Sequence, residues 1–178
     1  MKSTQVRPSG VERTFGHDEI IVTKTDPRGI LTYANDVFLR TSALTEEETI
    51  GQPHNLIRHP DMPRAIFKLL WDTLGQKQEI FAYVVNLASD GAHYWVYAHV
   101  TPSFSPDGRL VGYHSNRRVP ERAAVTEVSS LYDRIRRIEQ GQGNARSAVD
   151  AGWAALQQEL GDLTYDEYIW SVTNRAGR

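Results

Sequence analysis

The order of patterns along this chain predicts an α+β domain: a five-stranded antiparallel sheet with helices on one face, followed by a C-terminal helical tail. Three observations carry that expectation. Two β-rich segments flank a Pro-Gly turn near the start, several short helical patterns occupy the middle, and three further β-rich segments follow, divided by Asp-Gly turns. With 178 residues, the chain can form one core of about 100 residues plus an appendage.

Each element follows from local chemistry. Residues 19–25 (Glu-Ile-Ile-Val-Thr-Lys-Thr) are apolar and β-branched, the composition of a strand. In Asp26-Pro27-Arg28-Gly29 the proline presets the first turn dihedral and the glycine accepts positive φ, so residues 30–35 return as a second strand. After Asn35 the period becomes helical. Val37, Phe38, Ser42 and Leu44 mark one short helix, and Thr45 ahead of Glu46, Glu47 and Glu48 caps another, which Gly51 and Pro53 break. Residues 55–63 form a polar, proline-rich loop leading into a longer helix with Ala65, Ile66, Leu69, Leu70 and Leu74 at helical spacing. Ile80, Phe81, Tyr83, Val84, Val85 and Leu87 are extended, Ser89-Asp90-Gly91 turns, and residues 94–101 form the fourth strand. A turn at Ser105-Pro106-Asp107-Gly108 precedes the fifth, residues 110–116 with Arg117 and Arg118. Beyond Pro120, Val125, Val128, Leu131, Tyr132, Ile135 and Ile138 recur at three- and four-residue steps, an amphipathic helix that Gly141 and Gly143 end. Helices over about residues 145–160 and around Tyr165, Tyr168, Ile169 and Val172 complete the tail.

Composition excludes several classes of function. Hydrophobic residues are 40% and charged residues 24% of the chain, ordinary for a globular protein and unlike a disordered one. A formal net charge of −2 without long runs of like charge offers no handle to nucleic acid or an anionic membrane. The absence of cysteine removes disulfides, thiolate metal sites and cysteine nucleophiles. Residues 1–16 lack the apolar core of a signal peptide and no stretch reaches the roughly 18 apolar residues of a membrane span, so a cytoplasmic protein without membrane insertion is expected. No Gly-rich dinucleotide loop, nucleophile elbow or HExxH occurs, and the chain is not expected to be an enzyme.

Five segments are more specific: Thr25-Asp26-Pro27-Arg28-Gly29, Thr32-Tyr33-Ala34-Asn35-Asp36-Val37-Phe38, Gly51-Gln52-Pro53-His54-Asn55, Arg58-His59-Pro60-Asp61-Met62-Pro63 and Asp90-Gly91-Ala92-His93-Tyr94-Trp95. Together, over about residues 19–119, they resemble the PAS domains of bacterial aerotaxis receptors. The resemblance implies the PAS fold, noncovalent FAD, and a redox-sensing role. It carries cofactor-binding roles to Asn35, Arg58, His59, Asp61, Phe67, Trp71 and Asn86, all of which are present. The chain departs from the family at Ile80 and Ala82, where Trp and Gly are usual, and in its tail, which looks more like that of short stand-alone PAS proteins. The implied layout is an N-terminal cap or flexible segment over residues 1–18, a PAS sensor domain over 19–120, and a helical signalling and dimerisation region over 121–178. The implied partner is a chemoreceptor or a histidine kinase, and a homodimer is expected.

The chemistry suits a flavin. Trp71 offers a flat wall, Asn86 an amide that both donates and accepts, and Arg58 and His59, ahead of a helix, charge-assisted bonds to phosphate helped by the positive helix end. Plainer readings stand beside each. Trp71 can be a core residue, Arg58 and Asp61 a loop ion pair, Asn35 and Asp36 the cap of the following helix, and His54 and His59 loop residues bonded to backbone. A PAS domain that binds heme b through His59, His93, His99 or His114 is an alternative, as is a cofactor-free interaction module. The stripe of Val125, Val128, Tyr132 and Ile135 would be the seam of a dimer or would fold back on its own chain.

Overall fold

The alternation of β-branched and polar residues is realised as five strands in the computed structural model, which describes residues 6–177. They are β1 (Ile21–Thr25), β2 (Leu31–Ala34), β3 (Ile80–Leu87), β4 (His93–Phe104) and β5 (Leu110–Arg118), in one antiparallel sheet of order β2-β1-β5-β4-β3. The β3-β4-β5 meander is the one the sequence predicts. The pairing of β1 with β5, which sets Ile21 opposite Arg117 and Thr23 opposite Ser115, is a long-range event. Helices α1 (Asp36–Ser42), α2 (Glu46–Thr49) and α3 (Arg64–Gly75) lie between β2 and β3 in sequence, and α4 (Arg122–Gln140), α5 (Ala145–Leu160) and α6 (Tyr165–Ala176) follow β5. The expected α+β class, with one five-stranded antiparallel sheet and a C-terminal run of helices, is what is found.

Local signals act as chemistry requires. Gly29 sits at φ 79° in the turn between β1 and β2, where Asp26 accepts from the backbone N–H groups of Arg28 and Ile30. Thr45 and Glu48 form a reciprocal capping box on α2, and Thr164 and Glu167 do the same on α6. The first helix is shorter than its apolar pattern: Ala43 adopts a left-handed cap at φ 54°, so Leu44 lies beyond the helix and packs on the core from there.

The chain divides into two compact units. The first comprises the chain through His59 and Val84–Val119. Its core contains Ile21, Ala34, Phe38, Ile57, Ala88, Tyr94, Val96 and Ala98, with the N-terminal segment contributing Phe15. Residues 9–13 run beside the β3–β4 turn, with Ser9 N–H donating to Gly91 O and Arg13 N–H to His93 O.

The second unit comprises Pro60–Tyr83 and the chain from Pro120. Here Val125, Val128, Leu131, Tyr132 and Ile135 of α4 are all buried within the single chain, so the stripe is not an open dimer seam; Ile138 at its end is exposed. A buried carboxylate organises this unit. Glu139 accepts from the backbone N–H groups of Arg64 (2.8 Å) and Ala65 (2.9 Å), the first turn of α3, which has no side-chain cap of its own. Gly152 of α5 makes room for that carboxylate, since a Cβ there would collide with Oε1 of Glu139. Tyrosines add directional bonds: Tyr132 donates to Tyr83 O at 2.8 Å, which obliges Tyr165 to donate to the Tyr132 hydroxyl. Thr173 donates to Ile169 O, so Tyr83 donates to Thr173.

Replacing Glu139 with Ala strands the buried N–H of Ala65 and the part-buried N–H of Arg64 and is expected to cost about 1–3 kcal/mol in urea unfolding. Gly152→Ala should destabilise in the same direction by displacing the carboxylate, while Glu139→Gln, which keeps one acceptor, should recover part of the loss.

Candidate functional site

The inner face of the sheet follows from strand alternation and register. Ile21 and Ala98 both pair with Arg117, so the three share a face, and Thr23 and Val100 share it with Ser115. Because Ile21, Val96 and Ala98 belong to the first unit's core, this face is the one turned inward. Val84 of β3 packs on the same core, which puts Asn86, two positions on, on that face as well.

Arg117 dominates the face. Its guanidinium is buried, and Nη2 donates to Thr23 Oγ1 at 2.9 Å and to His54 Nε2 at 2.6 Å. His54 lies on the short 3-10 turn His54–Ile57, within reach of Thr23 as well. An imidazole that accepts at Nε2 carries its proton on Nδ1. Burial and the adjacent guanidinium push the His54 pKa down to about 3, so the ring is neutral at physiological pH. Burial lowers the Arg117 pKa to about 10, and the guanidinium stays charged. Beside it Tyr94, buried and bonded to Ser42 Oγ at 2.9 Å, has its phenol pushed up to about 12 by burial. Three inner-face groups have no hydrogen-bond partner among the described residues: Nδ2 of Asn86, Oγ of Ser115 and Nη1 of Arg117.

The seven residues carried over by resemblance divide between the units. Asn35, Arg58, His59 and Asn86 belong to the first, and Asp61, Phe67 and Trp71 to the second. Asn35 is the N-cap of α1: its Oδ1 accepts from the N–H groups of Phe38 and Val22, and Nδ2 donates to Ile20 O. Arg58 and Asn86 are brought together by an isolated antiparallel bridge, with Arg58 exposed and Asn86 buried. The His59 ring is buried, edge-on to His93 at 5.9 Å between centroids. Asp61 pairs with Arg136 of α4. Phe67 is half-buried on α3, and Trp71 is 47% exposed and not a core residue. The positive end of α3, expected to help hold phosphate, receives the Glu139 carboxylate. Sequence reading missed Thr23, His54, Ser115 and Arg117 as a set; Arg117 and Arg118 are adjacent at the end of the fifth strand, a pattern that reads equally as an exposed strand end.

Comparisons with known proteins agree with this architecture. Residues 31–117 match the family model of the PAS fold. The chain is 35% identical over 146 residues to the aerotaxis receptor of Escherichia coli (strain K12), covering 82% of this chain and 28% of that protein. It is 32% identical over 115 residues to the nitrogen fixation regulatory protein of Klebsiella pneumoniae, covering 65% of this chain and 23% of that one. The chain thus spans about a quarter of the length of these curated relatives. Among solved structures, the dark state of the blue-light photoreceptor Aureochrome1 LOV matches with a TM-score of 0.53 at 21% identity, over 67% of this chain and 86% of that one. A PAS domain from Colwellia psychrerythraea matches with a TM-score of 0.52 at 20% identity, over 56% and 85% of the two chains. No helix among the described residues is long and apolar enough to cross a membrane.

A depressed His54 pKa ties stability to pH. Between about 6.5 and about 3 the unfolded chain binds a proton at this imidazole that the folded chain does not, so its contribution is complete above pH 6.5 and is lost as pH falls. The thermal midpoint is expected to drop by several degrees from pH 7 to pH 5, and less so in His54→Gln. His114 is shifted in the same direction by burial and by Lys24, so the measurement that isolates His54 is the difference between wild type and variant.

Proposed function

This chain belongs to the PAS family through residues 31–117, and from that premise we propose that it is a redox sensor that binds FAD noncovalently and relays the state of the flavin through its C-terminal helices to a signalling partner. The observation that carries the reading is the buried carboxamide of Asn86, whose Nδ2 has no hydrogen-bond partner on the inner face of the sheet. An unsatisfied buried donor is costly unless a ligand meets it, and an amide suits a ring edge that exchanges accepting for donating as electrons arrive. The aerotaxis receptor and the nitrogen fixation regulatory protein are regulatory proteins by name, which favours sensing over turnover.

When bound, the flavin would supply reversible electron uptake; the chain's own residues bind and orient it. Asn86 would hold the pyrimidine edge. Arg58 and His59, at the bridge opposite Asn86, are the candidates for the phosphate side, with Asp61, Phe67 and Trp71 the further contacts that the family resemblance implies. In Asn35 the carboxamide oxygen already accepts two backbone bonds and the amide nitrogen donates a third, so its proposed part is to fix the start of α1. Asn86 is three positions from Tyr83 on β3, and Tyr83 is bonded through its carbonyl to α4 and through its hydroxyl to α6. A change of hydrogen bonding at Asn86 would travel along that strand to the tail. Oxidised and reduced states must then bind the partner, proposed to be a chemoreceptor or a histidine kinase in the cytoplasm, with unequal affinity.

Purified or FAD-reconstituted protein is expected to show the two flavin bands of the near ultraviolet and the blue, and Asn86→Ala to lose the flavin or the redox-dependent change in partner binding. A single intense Soret band would establish the heme alternative instead. A protein that stays colourless after reconstitution with FAD would leave an interaction module.

A further inference from the structure

The proposed role of Asn86 leaves Arg117 unexplained. A guanidinium only 5% exposed, on a strand with neighbours on both sides, ordinarily has a carboxylate beside it, because an uncompensated buried charge is strongly destabilising. Among the described residues no acid pairs with Arg117: its partners are the hydroxyl of Thr23 and the neutral imidazole of His54. Tyr94 is no substitute, since its phenol holds its proton well above neutral pH. The Nη1 group has no partner, and neither does the Oγ of Ser115, which is 6% exposed two positions earlier on the same face. Asn86 Nδ2 lies on that face across one intervening strand and is displaced along it, since Arg117 faces Ala98 of β4 while Asn86 lies nearer the β3–β4 turn. Separate donors spread over two strands do not suit a small inorganic anion. They suit an extended planar molecule with several acceptor atoms along one edge and negative charge at the end nearest Arg117.

We infer that Arg117 and Ser115 bind the carbonyl-bearing edge of the cofactor and that Arg117 makes its reduction easier by stabilising the negative charge the ring acquires. This rests on the FAD reading above. Uptake of one electron without a proton, or of two electrons with one proton, adds one net negative charge to the ring, and a cation in a water-poor interior favours either product over the oxidised form. Arg117 is therefore assigned as a cofactor-binding residue that sets the redox poise. His54 and Thr23 are positioning residues that hold its Nη2 and leave Nη1 turned to the ligand.

The test compares wild type, Arg117→Met and Arg117→Lys, each loaded with FAD and titrated with dithionite against reference dyes, alongside thermal unfolding of the FAD-free proteins. The Met variant is expected to lose at least about tenfold in affinity for reduced relative to oxidised FAD, a fall in midpoint potential of about 30 mV for a two-electron couple, with the Lys variant in between. Without FAD the Met variant should melt higher than wild type, since the buried cation has no anion to meet. Arg117→Gln, neutral yet still able to donate to Thr23 and His54, gives the same measurement should the Met variant fail to fold. Flavin retained at an unchanged potential in the neutral variants overturns this inference and leaves the FAD reading intact. A wild type that takes up no flavin overturns the FAD reading and the inference with it.

Discussion

Hydrogen bonding between β1 and β5 is the constraint from which the first unit follows. It brings together residues far apart in the chain, Thr23 and Arg117 being 94 positions apart, and the loop entropy that opposes such a closure is offset by burial of Ile21, Val96, Ala98 and Tyr94. With β5 in the middle of the sheet, its backbone is paired on both edges and its inner-face side chains at Ser115 and Arg117 lie against the core. Ser115 and Arg117 are both buried there, and the polar atoms they turn to the interior bear on function and not on solubility.

A carboxylate does for the second unit what that pairing does for the first. Helix α3 begins after Pro63 without a capping side chain, and its first free N–H groups meet Glu139 from the far end of α4. Gly152 lets α5 approach closely enough to cover the carboxylate. The apolar stripe of α4 closes inside the same unit, so α4 is part of a folded body together with residues 60–83 and not a single helix waiting for a copy of itself. The tyrosine bonds at Tyr83, Tyr132, Tyr165 and Thr173 tie the start of β3 to that body.

Legibility differed between the elements and the site. The capping box at Thr45, the turn at Gly29 and the span of α5 are local events, and the sequence patterns match them closely. Asn35 was readable in two ways, as cap or as ligand, and its bonds to Phe38, Val22 and Ile20 are those of a cap. Asp61 meets Arg136, 75 positions on, by virtue of the α3–α4 packing that no local pattern specifies. Trp71 looked apolar enough for the core, yet it falls on an open face of α3.

The sequence by itself determined the α+β class, the strand and helix order and the family resemblance, because periodicity, turn residues and caps act over a few neighbouring positions, and because motifs such as Gly51-Gln52-Pro53-His54-Asn55 are contiguous. Only the tertiary structure decided that Arg117 is buried beside a neutral His54, that Glu139 caps α3, and that the polar atoms of Asn86 and Ser115 share one inward face. Those outcomes depend on which distant strands and helices meet, and burial and proton affinity are properties of that meeting, not of any residue in its chain segment.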